Sequence, residues 1–315
     1  MKIPGPENRW ILYAVLAGLC WGIWGVLTKF ISSEITPYSN HLLFTLGMLL
    51  TLPFILKKSK DQEVTGRGLT WGILAGVLAA IGNIAAYKAF ASGGQAAIVI
   101  PVTNLYPLVT IVIALIVFKE KLNRINVIGI FITVPALVLL SGETLLIEDP
   151  RAFIEKIGMD LWLLYSFIAI LFWGVFSITQ KITTNHISAE WAYISFIIAS
   201  FGLCIIFSLS GWAEIHFDGN TILIGTMAGL LNGLGVLASF AAYHSEGKAS
   251  TVTTIAGTMQ PVFTILLAII FLKESLDGME MLGIVLAIIG SSALSFEKSK
   301  PNTNEIAVNG VNQIR

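Results

Sequence analysis

Charge is scarce in this chain. Asp, Glu, Lys and Arg make up 12% of its 315 residues, while 55% are hydrophobic. The surface of a water-soluble domain of this size could hardly tolerate that balance. The charges that exist cancel, 19 basic against 19 acidic, so no global attraction to nucleic acid is implied and none is expected as a partner. Cysteine is almost missing. Cys20 and Cys204 both lie inside apolar runs without metal-type spacing and read as small buried hydrophobes. No metal or cofactor is expected. The apolar runs also lack an HExxH motif, a GxSxG elbow and a buried carboxylate pair, which leaves an intramembrane enzyme without machinery. No Asp or Glu falls at the centre of any run. Proton- and cation-coupled carriers usually bury such a group, so no coupling acid is legible.

What the chain does have is length of apolar sequence. Crossing the roughly 30 Å hydrocarbon layer takes about 20 mostly apolar residues. Ten such windows follow one another, at 10–31, 37–56, 68–91, 95–118, 124–142, 161–183, 190–210, 220–243, 249–272 and 279–297. The predicted class is an all-α membrane protein of ten transmembrane helices with the lipid bilayer as its surroundings. The first window is too long for a signal-peptide core and is expected to stay in the mature protein. The polar ends, 1–9 and 298–315, are assigned no fold.

Basic residues collect on cytoplasmic loops. With the N-terminus inside, internal segments hold 14 of the 19 Lys and Arg, while the longest outer loop, "GETLLIEDPRAFIEKIGMD", carries more acid than base. Both termini are therefore predicted to be cytoplasmic. The same ten windows contain a repetition. "YPLVTIVIALIVFKEKL" (106–122) returns as "QPVFTILLAIIFLKESL" (260–276), identical at eight of 17 positions. "WGIWGVLTK" (21–29) is answered by "WGVFSITQK" (173–181), and "AAYK" (85–88) by "AAYH" (241–244). Gly recurs at every fourth position at 68/72/76 and at 225/229/233. The halves are 10–142 and 161–297, joined by an extracytoplasmic linker at 143–160. Each holds five spans, an odd number, so the second must enter the membrane from the opposite side. Two inverted repeats of this kind are the architecture of secondary transporters, whose related halves exchange inward- and outward-open shapes.

Candidate working residues follow from depth in the membrane. Pro107 and Pro261 lie at the middle of the fourth and ninth windows, where proline removes an N–H and strands the carbonyl four residues earlier. They read as hinges beside a midplane site, or as packing kinks. Asn83, Asn104, Asn232 and Gln260 put amides at the same depth, either as glue between helices or as ligands of a polar substrate. Trp24, Tyr87, Tyr106, Trp173 and Tyr243 are placed to pave a cavity or to pack a core, as is Trp21. Lys29 and Lys181 close their helices at matched positions, as gate residues or as stems that snorkel to the interface. Lys88 is the one cation placed to attract an anionic substrate group.

This set of features resembles the EamA-type transporters of the drug/metabolite transporter superfamily. The marks are the tandem repeat, the two Pro-apolar segments ending in "FKEKL" and "FLKESL", and Trp-Gly early in the first and sixth windows. The resemblance covers about 10–297 and implies a ten-helix basket around a central cavity. By helix position that cavity would involve Trp24, Asn83, Tyr87, Asn104, Tyr106, Trp173, Asn232, Tyr243 and Gln260. The activity implied is alternating-access carriage of a small polar or amphipathic metabolite, such as outward movement of amino acids or related compounds. A sugar or nucleotide-sugar carrier on the same scaffold is the alternative. Residence would be in a plasma or bacterial inner membrane.

Overall fold

The computed structural model describes residues 9–117, 124–140, 160–245 and 249–294. The polar tail, nearly all of the predicted linker and the Lys119–Glu120 copy of the Lys-Glu pair lie outside the described residues. Among those described, every regular element is helical. In chain order these are α1 (Arg9–Ile31), α2 (Pro37–Leu49), α3 (Leu52–Ser59), α4 (Gly66–Ala91), α5 (Ala96–Thr103), α6 (Pro107–Val117) and α7 (Arg124–Leu140). Then come α8 (Leu161–Thr184), α9 (Ala189–Leu209), α10 (Gly219–His244), α11 (Ala249–Leu267) with a π turn at Ala268–Leu272, and α12 (Gly278–Leu294).

Among the described residues, six helices are long and apolar enough to cross a membrane, and the pair α2 and α3, bent by 48°, makes a seventh if taken as one span. The remaining three windows fall on shorter apolar helices, Ala96–Thr110, Arg124–Leu140 and Gly278–Ala293. The chain is thus an integral, multi-pass membrane protein.

Helix starts follow the caps written in the sequence. Thr36, Thr65, Ser188 and Asp218 each accept a backbone N–H with the side chain and so open α2, α4, α9 and α10. The caps recur between the halves, Thr36 with Ser188 and Thr65 with Asp218.

Helix directions can be read from side contacts. Thr51 meets the Tyr193 hydroxyl at 3.1 Å, while the Cys204 thiol donates to the His41 carbonyl at 3.8 Å, so α2 and α9 are antiparallel. Gly72 lies beside Ser195 and Gly76 beside Ala199, so α4 runs parallel to α9. Gly225 beside Leu43 and Gly233 beside Met48 set α10 parallel to α2. Hence α4 and α10, which carry the twin phrases "AAYK" and "AAYH", run in opposite directions. At Gly229 the α10 backbone lies so near that of Phe44 that a Cβ has no room. Small residues permit this approach, which dispersion then rewards.

Packing between the halves is reciprocal. The contact of α1 with α10 has its mate in α8 with α4, that of α1 with α11 in α8 with α5 and α6, and that of α2 with α10 in α9 with α4. The remaining pair, α7 and α12, packs mainly on itself. One detail explains why the two phrases are repeated together. Thr110 Oγ1 donates to the Gly174 carbonyl and Thr264 Oγ1 to the Gly22 carbonyl, both at 3.0 Å. A Cβ on Gly174 would lie 2.6 Å from that of Val109, and one on Gly22 would lie 2.7 Å from that of Phe263. The Trp-Gly motif and the Pro-x-x-Thr motif are therefore two sides of one helix contact, built twice, each time between the Trp-Gly of one half and the Pro-x-x-Thr of the other.

Candidate functional site

A cavity lies where the two sets of helices meet. It leaves about 50 Å³ of free space, and of its 17 lining residues five come from before residue 150 and 12 from after it. Aromatic rings form much of the wall. Trp24 meets Trp173 edge to face at 6.0 Å and Tyr87 at 6.1 Å, distances at which aromatic pairs attract beyond their buried area. The Trp173 indole N–H donates to Asn83 Oδ1 at 3.2 Å, and Gln180 Nε2 donates to Ser239 Oγ at 2.7 Å. Ser239 in turn donates to the Val236 carbonyl. These two pairs set the polar edge of the wall.

Asn232 and Gln260 differ from them. Both line the cavity at 4% and 5% exposure, and neither amide has a hydrogen-bond partner among the described residues. A polar group left without a partner is costly, so these two amides, together with the unpartnered Trp24 indole N–H, are set to bond something that enters. None of the 17 lining residues is Asp, Glu, Lys, Arg or His. The wall is neutral, hydrogen-bonding and aromatic.

Seven of the nine residues expected at the site line this cavity: Trp24, Asn83, Tyr106, Trp173, Asn232, Tyr243 and Gln260. Tyr87 is fully buried behind Trp24. Asn104 is not in the lining: its Nδ2 donates to the Ile100 carbonyl at 2.9 Å, its Oδ1 is buried without a partner, and its main-chain carbonyl accepts from Ser291 of α12 at 2.9 Å. Trp21, Gln180 and Ser239 also line the wall. Trp21 is already a candidate for the wall, and a signal for Gln180 is present, since it stands inside the quoted "WGVFSITQK".

The two prolines are treated differently. Before Pro107 the helix stops, residues 104–106 form a turn, and Pro107 occupies the first position of α6, where its missing N–H costs nothing. The Thr103 carbonyl it would have stranded accepts from the Tyr106 N–H at 3.1 Å. At Pro261 the helix continues.

The conspicuous cations lie off the cavity. Lys88 sits over the rings of Tyr38 and Tyr165, at 5.3 and 5.4 Å, a cation–π clamp rather than a substrate contact. Lys29 Nζ donates to the Phe90 carbonyl at 3.1 Å. Both cysteines are free thiols. No cluster of three or more His, Cys, Asp or Glu that could hold a metal is found among the described residues.

Relatives agree with this architecture. The chain is 25% identical over 263 residues to an uncharacterized transporter of Clostridium kluyveri, covering 79% of this chain and 80% of that one. An uncharacterized protein of Methanocaldococcus jannaschii is 26% identical over 131 residues, which is 42% of this chain but 95% of the archaeal protein. A solved crystal structure shares the fold, with a TM-score of 0.60 at 15% identity over 91% of this chain and 96% of that one. The model of the EamA-like transporter family matches twice, over residues 8–142 and again over 160–296. With both halves of the sequence accounted for in this way, the chain belongs to the EamA-like transporter family.

Proposed function

We propose that this protein is a secondary carrier that moves a small polar or amphipathic metabolite, an amino acid or related compound, out of the cell by alternating access. Ten spans result when α2 is joined to α3 and α5 to α6, giving two inverted five-helix repeats at 10–142 and 161–297 with a linker at 143–160. Both termini, 1–9 and 298–315, are then cytoplasmic, in a plasma or bacterial inner membrane.

The observation that carries this reading is the neutral, amide-bearing cavity at the joint of the two halves. Twin positions meet there: Trp21 with Trp173, and Tyr106 with Gln260. In inverted-repeat carriers the substrate binds at the repeat interface near the midplane. In this reading Asn232 and Gln260 bond the polar end of the substrate, Trp24 and Trp173 cover its apolar part, and Tyr106 and Tyr243 bound it. Asn83 holds Trp173, Tyr87 backs Trp24, and Asn104 sets the helix break rather than touching the substrate. Pro107 and Pro261 serve as hinge points. Free space of about 50 Å³ is far below the roughly 300–1,000 Å³ of a pocket holding a drug-sized ligand. Helices must therefore move apart for a substrate to enter, as a closed stage of the cycle requires.

A neutral sugar also suits amides and indole faces, so a sugar carrier is the second reading. The lack of a cation in the wall weighs against nucleotide sugars and sugar phosphates, whose charge would need a partner.

The test is counterflow in proteoliposomes loaded in turn with neutral amino acids, neutral sugars and nucleotide sugars. Exchange of the first group, lost in Gln260→Leu, is expected. Exchange of a nucleotide sugar alone would overturn the assignment.

A further inference from the structure

Resting on the carrier reading, we propose that the cavity has a second, symmetry-related lining that the present arrangement keeps sealed, and that Glu274 holds the seal. Twin positions reveal it. Trp21 with Trp173, Trp24 with Phe176, Asn83 with Ser239 and Tyr106 with Gln260 all reach the cavity from both halves. Nine other lining residues reach it from one half alone, eight of them from the second half, and among these are Gln180, Tyr243, Val252 and Ala256. The twins of these four at the same sequence offsets are Thr28, Tyr87, Ile98 and Val102. All four are buried, and none of them lines the cavity. Thr28 Oγ1 is also a buried hydroxyl without a partner, a group that calls for a reason. A second arrangement in which it faces the cavity supplies one.

The sealed set lies toward one face of the molecule, and that face carries a clamp. Lys29 at the end of α1 bonds the Phe90 carbonyl at the end of α4. Just beyond, the Glu274 carboxylate accepts the N–H of Ala96 at 2.8 Å with one oxygen and that of Ala97 at 2.9 Å with the other. A residue of the second half thereby caps α5 of the first, a helix whose free N–H groups favour an anion. The backbone is bent to deliver it. Lys273, immediately before, has φ 54° and ψ 32° and stops the π turn, and it is the one non-glycine with positive φ among the described residues. Lys29, Gln95, Lys273 and Glu274 border a hollow of about 530 Å³ on this face.

Two halves built from one pattern can exchange roles, so the shape in which Thr28, Tyr87, Ile98 and Val102 line the cavity is the mirror of this one. Loss of the Glu274 clamp removes an interaction found only in the sealed shape, and the population moves toward its mirror. Glu274 is thus a positioning residue that never meets substrate.

The test uses full-length protein in nanodiscs with Cys20→Ala and Cys204→Ala. Single cysteines are introduced as Thr28→Cys and Ile98→Cys on the sealed side, Val252→Cys and Ala256→Cys in the lining, and Ser200→Cys as a packed control. Rates of modification by a small water-soluble methanethiosulfonate are read with and without Glu274→Gln. The expected result is a rise of about tenfold at 28 and 98, as when a minor state of a few per cent becomes prominent, with a fall at 252 and 256 and no reaction at 200. Unchanged rates at 28 and 98, or a rise at 252 and 256, would overturn the proposal. If Glu274→Gln also exposes position 200, Lys29→Met is read instead and must give the same reciprocal change. Failure of every metabolite to exchange would refute the carrier reading while leaving this labelling pattern as it is.

Discussion

At Pro107 the chain breaks its helix, and at Pro261 it does not. The two prolines stand in the same phrase, so proline alone does not decide the outcome. Its neighbours do. The first copy is preceded by Asn104, whose side chain bonds the Ile100 carbonyl and competes with the helix for backbone partners. A second proline, Pro101, sits inside α5. The other copy has Thr258, Met259 and Gln260 before its proline, two of them good helix formers, and Ile255 where the first half has Pro101. Its adjustment comes later, in the π turn Ala268–Leu272, a usual way to absorb an extra residue near a functional site. Two halves with one ancestor pattern thus differ at the segments expected to move.

The largest effect is expected at the contact the two halves share. Gly22→Val and Gly174→Val each push a side chain into the facing helix, and overpacking of this sort costs about 1–3 kcal/mol. Both variants are expected to lose most of their monodisperse protein in size-exclusion chromatography. Survival of one alone would mean that the two contacts are not equivalent.

Next are the amides. Asn83→Leu removes the acceptor of the Trp173 indole and is expected to lower stability by about 1 kcal/mol, visible as a lower melting temperature. Asn232→Leu and Gln260→Leu leave no protein group unpaired. They should keep or raise the melting temperature while abolishing binding, a split measured by thermal melts with and without ligand.

Smaller still are the threonine bonds. Thr110→Val and Thr264→Val should each cost about 0.6–1 kcal/mol, the usual worth of a hydrogen bond between membrane helices. Equal losses of melting temperature would support the equivalence of the two locks.

The smallest effect concerns two matched caps. The Thr221 hydroxyl and the N–H groups of Thr221 and Asn220 hold the exposed Asp218 carboxylate below its ordinary range. A depressed carboxylate stabilises the fold at pH values above its unfolded pKa and loses that contribution as pH falls through the folded one. Asp218→Asn should therefore lower stability slightly at neutral pH, leave it unchanged at low pH where the carboxylate is already protonated, and so flatten the acid side of a pH–stability profile. Thr65→Ser, at the matching cap of α4, should leave the whole profile unchanged.

Much of this was legible in the sequence, and for identifiable reasons. Membrane spanning follows from long apolar runs, and the repeat from the matched Trp-Gly and Pro-x-x-Thr pairs, whose offset drifts by a few residues between segments. The aromatic and amide candidates were found because polar and aromatic groups at membrane depth are rare and each needs a purpose. Facing was less accessible. Asn104 and Gln260 both lie within three residues of a proline, yet at the break before Pro107 the Asn104 side chain bonds the Ile100 carbonyl, while Gln260 on the continuous α11 lines the cavity. One lost helical turn changes which way a residue points, and no local pattern announced it. Gln180 escaped notice because it stands beside Lys181 near a helix end, where polar residues are ordinary.

The most direct test of the account is a thermal-shift screen of the purified protein against neutral amino acids, sugars, nucleobases and nucleotide sugars, run on the natural chain, Asn104→Ala and Gln260→Leu. A ligand that binds only the folded state adds about 2.7 kcal/mol of apparent stability at a hundredfold excess over Kd. A shift with a neutral polar solute is expected, persisting in Asn104→Ala and disappearing in Gln260→Leu. A shift of equal size in Gln260→Leu would contradict it, as would stabilisation by nucleotide sugars alone.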